Sequence, residues 1–196
     1  AKDYFPAGKS CLRVAFSGKP NTCLHGLFIA DDGHERAIAT QCEATDARAI
    51  FPCFDEPEYK AKLQWTLRAP KNLIALSNGK SEGEPILEGD DKVWRFESTR
   101  TVSSYLAAIT MGDYESTPEP VVRDTPIRVW APRGRAQHGE FAHGITERFI
   151  PWFEDYFDVP YPYGKYDQVG VPGVDAGALE YVGLVLFRHS LLLMDP

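Results

Sequence analysis

The strongest constraint on the fold is a succession of short strand-like segments in the first hundred residues, with turns rather than helices between them. Residues 11–16, 62–70 and 93–98 alternate apolar and polar side chains, which is the period of a half-buried strand. Residues 103–112 are more continuously apolar, as in a strand buried on both faces. Clusters of turn-forming residues separate these segments, at 17–21, 31–33, 77–80 and 88–91. Strands at this spacing predict an antiparallel β-sandwich.

The pattern changes after Asp113. Residues 127–132 form another strand-like segment, and residues 136–157 carry the only convincing helical period. The apolar residues of that helix recur at steps of three and four and predict one apolar face: Phe141, Ile145, Phe149, Trp152, Phe153 and Tyr156. The change of pattern predicts two domains, an all-β domain over residues 1–113 and the opening of a mixed α/β domain over residues 114–196.

The charge and hydropathy of the chain exclude several classes of partner. The net charge is -7 with no basic run, so nucleic acid and anionic membrane surfaces are poor partners. No segment approaches the roughly 20 apolar residues that a membrane helix needs. We therefore expect a soluble protein without a membrane segment, with the cytoplasm as the favoured compartment. The sequence indicates no oligomeric state.

One candidate site begins with a polar pair, Gln41 and Glu43, at the end of a predicted strand. Alternate residues of a strand share a face, so the amide and the carboxylate lie side by side and can accept hydrogen bonds from an ammonium group. The alternative is an ordinary exposed face of an edge strand. Arg48 can pair with Asp55 or Glu56 if the loop doubles back, and such a pair would fix the shape of the loop that carries Glu43.

A second candidate segment is the small-residue loop at residues 177–181, Gly-Ala-Leu-Glu-Tyr. Gly177 and Ala178 would let the backbone of an extended peptide approach closely. Glu180 would supply a second carboxylate. Two carboxylates that converge on one point suit an α-amino group, which is largely cationic at neutral pH. Gly-Ala turns are common, so this motif alone is a weak signal.

Together these segments resemble the aminopeptidase N family of zinc metallopeptidases. Residues 41–57 are similar to the family pattern at most positions, and residues 177–181 resemble its Gly-Ala-Met-Glu-Asn signature. The resemblance implies a mainly β fold, in which an antiparallel, saddle-like β-sandwich leads into the beginning of a thermolysin-like α/β catalytic domain. It also implies that the substrate is a peptide with a free N-terminus. The residues that it implies for substrate binding are Gln41, Glu43, Gly177, Ala178, Leu179 and Glu180, with Arg48, Asp55 and Glu56 as structural support.

Four positions depart from the family pattern. Leu179 replaces Met, which is a conservative apolar change. Tyr181 replaces Asn and cannot offer an amide, and Val182 replaces the common Trp. His189 stands where an acidic residue is usual. The residue preference of the first subsite is therefore not carried over.

The zinc-binding motif of the family, H-E-x-x-H, does not occur in this sequence. His138, Glu140 and His143 form a near match, but histidines five apart on a helix do not share a face as i, i+4 partners do. We therefore expect no catalytic residue and no metal ligand in these residues, and zinc only in the parent enzyme.

The sequence thus predicts the part of a zinc aminopeptidase that binds the substrate N-terminus, truncated before its metal site and without hydrolytic activity of its own. Two alternatives remain open. One is a relative with epoxide hydrolase and aminopeptidase activities, whose Gly-Gly-Met-Glu-Asn loop differs at the second position. The other is a non-catalytic scaffold relative that mediates protein interactions.

Overall fold

The computed structural model describes residues 8–174 and 176–194. This part of the chain is mainly β, as predicted, with thirteen strands, one long helix and one short helix. The elements follow in the order β1 Gly26–Asp31, β2 Arg36–Gln41, β3 Thr66–Pro70, β4 Ile74–Ser77, β5 Ile86–Glu88, β6 Asp91–Arg95, β7 Ile109–Gly112, β8 Tyr114–Ser116, β9 Val121–Val122, β10 Thr125–Pro132, α1 Glu140–Phe157, β11 Tyr166–Val171, β12 Ala178–Leu179, β13 Leu184–Arg188 and α2 His189–Leu192. Three-residue 3₁₀ turns lie at Ala47–Ala49 and Ser104–Leu106, and a four-residue one precedes α1 at Ala136–Gly139.

The strands up to Gly112 form two antiparallel sheets. One has the strand order β1-β2-β7-β4, and the other has the order β3-β6-β5. The predicted strands at 62–70 and 93–98 correspond to β3 and β6, which pair along five residues. The continuously apolar segment at 103–112 divides into a 3₁₀ turn and β7, and β7 lies between β2 and β4 inside its sheet.

The predicted strand at residues 11–16 is wrong. These residues adopt no regular structure, and Leu12, Val14 and Phe16 are exposed. Alternating hydrophobicity supplies an apolar face, but a strand also needs a neighbour to satisfy its backbone N–H and C=O groups. No described strand pairs with this segment, so the alternation has no structural consequence.

The strands after Asp113 form a mixed sheet in the order β12-β13-β11-β10-β8, with β9 paired to β10. The pairs β10–β11 and β11–β13 are parallel, while β8 and β12 are antiparallel to their neighbours. Helix α1 provides the crossover between β10 and β11 that a parallel pair requires.

The largest core cluster draws on both halves of the chain. Phe28 of β1 and Leu76 of β4 pack in one cluster with Val169 of β11 and Leu184 of β13. The Asn78 side chain reinforces this junction, because its Nδ2 donates to the carbonyl oxygens of Leu106 and Val182, both at 2.9 Å. The strands change sheet between β7 and β8, near the predicted boundary at 113, but the two halves share a core.

Helix α1 has its aromatic face toward solvent. Phe149, Trp152, Phe153 and Tyr156 are exposed and stack on one another, whereas the helix buries Thr146, Ile150 and Glu154. The predicted apolar face therefore exists but does not pack into the core of the described residues. No helix in residues 8–174 and 176–194 is long and apolar enough to cross a membrane.

Gly183 marks a close approach between the two halves. Its φ is +72°, and a Cβ at this position would lie 2.3 Å from the carbonyl oxygen of Asn78. A side chain there would be strained both by the backbone conformation and by the contact. The glycine therefore allows the β12–β13 connection to lie against the end of β4.

Candidate functional site

Tyr181 connects the two segments that the sequence singled out. Its Oη donates to the carbonyl oxygen of Thr40 at 3.0 Å and lies 3.2 Å from Oε1 of Gln41. The same oxygen accepts a hydrogen bond from the backbone N–H of Cys42 at 3.3 Å. The ring is buried, and burial raises the pKa of Tyr181 well above its ordinary value, so the phenol stays protonated. The loop at 177–181 is thereby held against the end of β2.

The end of β2 presents Gln41 and Glu43 in different ways. The strand ends at Gln41, so Glu43 lies in the following turn, beyond the strand geometry that was predicted for the pair. Oε1 of Gln41 accepts a hydrogen bond from the backbone N–H of Glu43 at 3.1 Å, which folds the amide over the turn. Glu43 itself is exposed, with its carboxylate available to solvent or to a ligand.

Cys42, between them, points away from this surface. It is fully buried, and its Sγ lies 3.4 Å from the carbonyl oxygen of Ala107. Burial raises the pKa of the Cys42 thiol to about 12, so the group is uncharged at neutral pH. The thiol therefore anchors the turn in the core rather than taking part in chemistry.

The loop at 177–181 lies at the edge of the mixed sheet. Ala178 and Leu179 form β12, which pairs with β13 on one side and has no strand on its other side among the described residues. Gly177, Ala178 and Glu180 are exposed, whereas the Leu179 side chain is buried in the main core. The backbone of Leu179 therefore lies at the open edge of the sheet, but its side chain does not.

No close packing against the described residues requires a glycine at position 177. Among residues 8–174 and 176–194, the nearest atom to a Cβ at this position would be Leu191 Cδ1 at 3.7 Å, which is an ordinary contact. The backbone of Gly177 does not lie in the left-handed region either. The space beside Gly177 is therefore open to a ligand.

Arg48, Asp55 and Glu56 form a brace under the turn that carries Glu43, because the loop doubles back. The Asp55 carboxylate accepts hydrogen bonds from the Arg48 backbone N–H at 2.9 Å, from its Nε at 3.2 Å and from Ser104 Oγ at 2.5 Å. Arg48 also donates to the carbonyl oxygen of Asp55 at 2.6 Å, and Glu56 lies 3.6 Å from its guanidinium. The buried partner is Asp55, whereas Arg48 is half exposed.

The brace determines the charge state of Asp55. Burial alone would raise the pKa of this carboxyl, but the hydrogen bonds from Ser104 and Arg48 outweigh it and hold the pKa below its usual range. Asp55 is therefore ionised under all near-neutral conditions, and its charge is fully matched by donors.

Two features of the structure were not found from the sequence. Tyr181 was noted only as a departure from the family pattern, and its role as the connecting side chain depends on contacts between residues about 140 positions apart in the sequence. The second is the approach of three side chains of metal-ligating type, Asp32, Glu35 and His189, whose ligand atoms lie within 4.8 Å of one another. The sole signal for it was the histidine at 189.

Comparisons with known proteins agree with the resemblance seen in the sequence. The Peptidase M1 N-terminal domain matches residues 2–106, and the Peptidase family M1 domain matches residues 141–196. Aminopeptidase M1-B of Oryza sativa subsp. japonica is 38% identical over 194 residues, covering 97% of this chain and 22% of that protein. Aminopeptidase N of Bos taurus is 37% identical over 205 residues, covering 100% of this chain and 21% of the relative. Aminopeptidase N of Homo sapiens is 37% identical over 190 residues, covering 92% of this chain and 20% of that protein. The chain thus spans about a fifth of the length of these relatives.

Proposed function

The chain belongs to the M1 peptidase family, and from this we propose that it forms the pocket that holds the free amino end of a peptide in a zinc-dependent aminopeptidase. The observation that carries the proposal is the contact of Tyr181 with the end of β2, which brings the segments bearing Glu43 and Glu180 side by side.

Glu43 and Glu180 are the charged groups of the proposed pocket. Both are exposed, so neither pays the full desolvation cost of a buried carboxylate while the pocket is empty. An α-ammonium group between them would receive two charge-assisted hydrogen bonds. Gln41 would line the pocket from the β2 side, where the hydrogen bond to the Glu43 N–H restrains its amide.

The open edge of β12 supplies the second half of the recognition. An extended peptide can add to an exposed strand edge through main-chain hydrogen bonds. Gly177 and Ala178 leave room for that backbone. Glu43 and Glu180, by binding the ammonium group, would then determine which end of the peptide lies at the pocket. The contribution of these residues is orientation: they would place the first peptide bond at a defined point relative to the catalytic group.

The residues present do not fit the catalytic zinc of the family. None of the five histidines begins an H-E-x-x-H motif, and His138 and His143 lack the i, i+4 spacing that would place them on one helix face. No hydrolytic step is therefore assigned to these side chains, and we expect the 196-residue chain to bind peptides without cleaving them.

The test is the affinity of the chain for a short peptide with a free N-terminus, measured by calorimetry for the parent chain and for Glu43→Gln and Glu180→Gln. Each substitution keeps the shape but removes one charge, and we expect each to weaken binding by about tenfold or more, since hydrogen bonds to charged groups contribute about 1.5–3 kcal/mol. Glu84→Gln, which neutralises an exposed carboxylate in the turn before β5, is the matched control and should change nothing. Equal affinities for all four proteins would favour a scaffold without an amine pocket.

A further inference from the structure

The residues Asp32, Glu35 and His189 come together where the β1–β2 turn meets the start of α2. Asp32 and Glu35 belong to the turn between β1 and β2, and His189 is the first residue of α2. One ligand atom from each of the three side chains lies within 4.8 Å of the other two. The group therefore joins the N-terminal sheets to the mixed sheet through three potential metal ligands.

The three side chains direct coordinating atoms at one another, and Oε2 of Glu35 also lies 3.5 Å from Nη1 of Arg135. Nδ1 of His189 lies 3.8 Å from Oδ2 of Asp32 and 3.8 Å from Oε2 of Glu35, which is too long for a hydrogen bond. Both His189 Nδ1 and Glu35 Oε2 are buried from solvent without a hydrogen-bond partner among the described residues. Buried polar atoms in native proteins are nearly always satisfied, so the buried Nδ1 of His189, with both carboxylates at 3.8 Å, lacks a close partner.

Asp32 is already oriented for a ligand on its other oxygen. Its Oδ1 accepts hydrogen bonds from the backbone N–H groups of His34 at 3.0 Å and Glu35 at 2.8 Å, which fixes the carboxylate and leaves Oδ2 toward His189.

We propose that Asp32, Glu35 and His189 bind a divalent transition-metal ion such as Zn²⁺, at a site independent of the amine pocket. Two carboxylates and one imidazole are a donor set that zinc accepts, and the imidazole disfavours the hard ions Ca²⁺ and Mg²⁺. Ligands of one tetrahedral zinc lie about 3.3 Å apart at ordinary bond lengths. The two separations from His189, each 3.8 Å, exceed this by roughly half an ångström, and all three ligand atoms lie within 4.8 Å of one another.

Arg135 is the charged neighbour that competes with the ion. Its Nη1 lies 3.5 Å from Oε2 of Glu35, the same oxygen that faces His189. The two carboxylates carry more negative charge than the single guanidinium offsets, and this excess attracts a divalent cation to the cluster. Because the ligands come from the β1–β2 turn and from α2, binding would also stabilise the contact between the two halves of the chain.

The experiment is a calorimetric Zn²⁺ titration of the 196-residue chain in a Cys11→Ser, Cys23→Ser background, since these two cysteines are exposed and thiolates bind zinc. We expect one ion per chain and a rise in melting temperature with zinc that EDTA reverses. Affinity should fall at least tenfold in His189→Gln and in Glu35→Gln. His34→Gln, in the same turn but outside the ligand group, is the matched control and should bind like the parent.

Arg135→Gln separates a lost site from a misfolded protein, because it should tighten zinc binding by removing the competing cation. Absence of saturable binding, retention of full affinity in His189→Gln and Glu35→Gln, or loss of affinity in His34→Gln alone would each overturn the proposal. An Arg135→Gln protein that folds but binds zinc no more tightly than the parent would also contradict it.

Discussion

Tyr181 is the side chain on which the proposed pocket depends most. Replacing it with Phe removes one hydroxyl that serves Thr40, Gln41 and the backbone N–H of Cys42. We expect Tyr181→Phe to lower the free energy of unfolding by about 1–3 kcal/mol, because a buried N–H loses its partner. Peptide affinity should fall as well, since Gln41 loses a contact that restrains it. Urea unfolding and calorimetry measure the two effects.

Tyr156→Phe is the control for that substitution. Tyr156 is 69% exposed, so loss of its hydroxyl should change the free energy of unfolding by no more than about 0.5 kcal/mol. A Tyr181→Phe protein that is as stable as the Tyr156→Phe protein and binds peptide equally well would show that the Tyr181 hydroxyl contributes neither to stability nor to peptide binding.

Asp55 gives the brace a defined pH dependence. Its pKa is lower in the folded chain than the ordinary value of about 3.9 in an unfolded chain. The stabilisation is therefore fully present above about pH 4 and is lost as the pH falls through the folded-state pKa. Asp55→Asn should lower the free energy of unfolding by about 1–3 kcal/mol at pH 7, and this difference should shrink on acidification.

The measurement for Asp55 is a set of urea unfolding curves between pH 7 and pH 2. Asp90→Asn serves as control, because the Asp90 side chain is 95% exposed and its surface ion pair with Lys71 contributes little. If the parent and Asp55→Asn differ by the same amount at pH 7 and at pH 2, the carboxylate does not stabilise the loop through its charge.

Helix α1 has one buried and one exposed apolar surface, and we expect only the buried one to contribute strongly to stability. Ile150 is 8% exposed, whereas Phe141 is 56% exposed on the outer side. We expect Ile150→Ala to lower the free energy of unfolding by about 2–4 kcal/mol, because apolar burial is lost and a cavity is left. Phe141→Ala should change the free energy of unfolding by less than about 1 kcal/mol. Urea denaturation of the two variants decides the matter. Equal costs would mean that the aromatic face is packed rather than exposed.

The strands show what a sequence period can and cannot predict. Alternation correctly located β3 and β6, which pair with each other. The same alternation failed at residues 11–16, where no described strand provides a partner. On α1 the period identified the residues that share a face, but it carries no information on what covers that face.

The candidate site was predictable only in part for a similar reason. Resemblance identified Gln41, Glu43 and the loop at 177–181 separately, and local geometry predicted that Arg48 would pair with Asp55 or Glu56. The contact between the two segments depends on one side chain that departs from the family pattern, Tyr181. Contacts across about 140 positions follow from the packing of whole sheets, which no local pattern encodes.

Across the whole molecule, the proposed pocket lies where the two halves of the chain meet. Glu43 follows β2 of the first sheet, and Glu180 follows β12 of the mixed sheet. The shared core and the Asn78 hydrogen bonds hold these sheets together, so the two carboxylates are positioned by packing rather than by either half alone. Orientation of a substrate by such a junction requires that the junction be rigid.

The most direct measurement compares two forms of one peptide on the parent chain, one with a free N-terminus and one N-acetylated. Acetylation removes the positive charge and leaves the rest of the peptide unchanged. If Glu43 and Glu180 hold an α-ammonium group, calorimetry at pH 7 will show binding of the free peptide and at least tenfold weaker binding of the acetylated one. Equal affinity for the two forms, or no binding of either, would contradict the amine pocket.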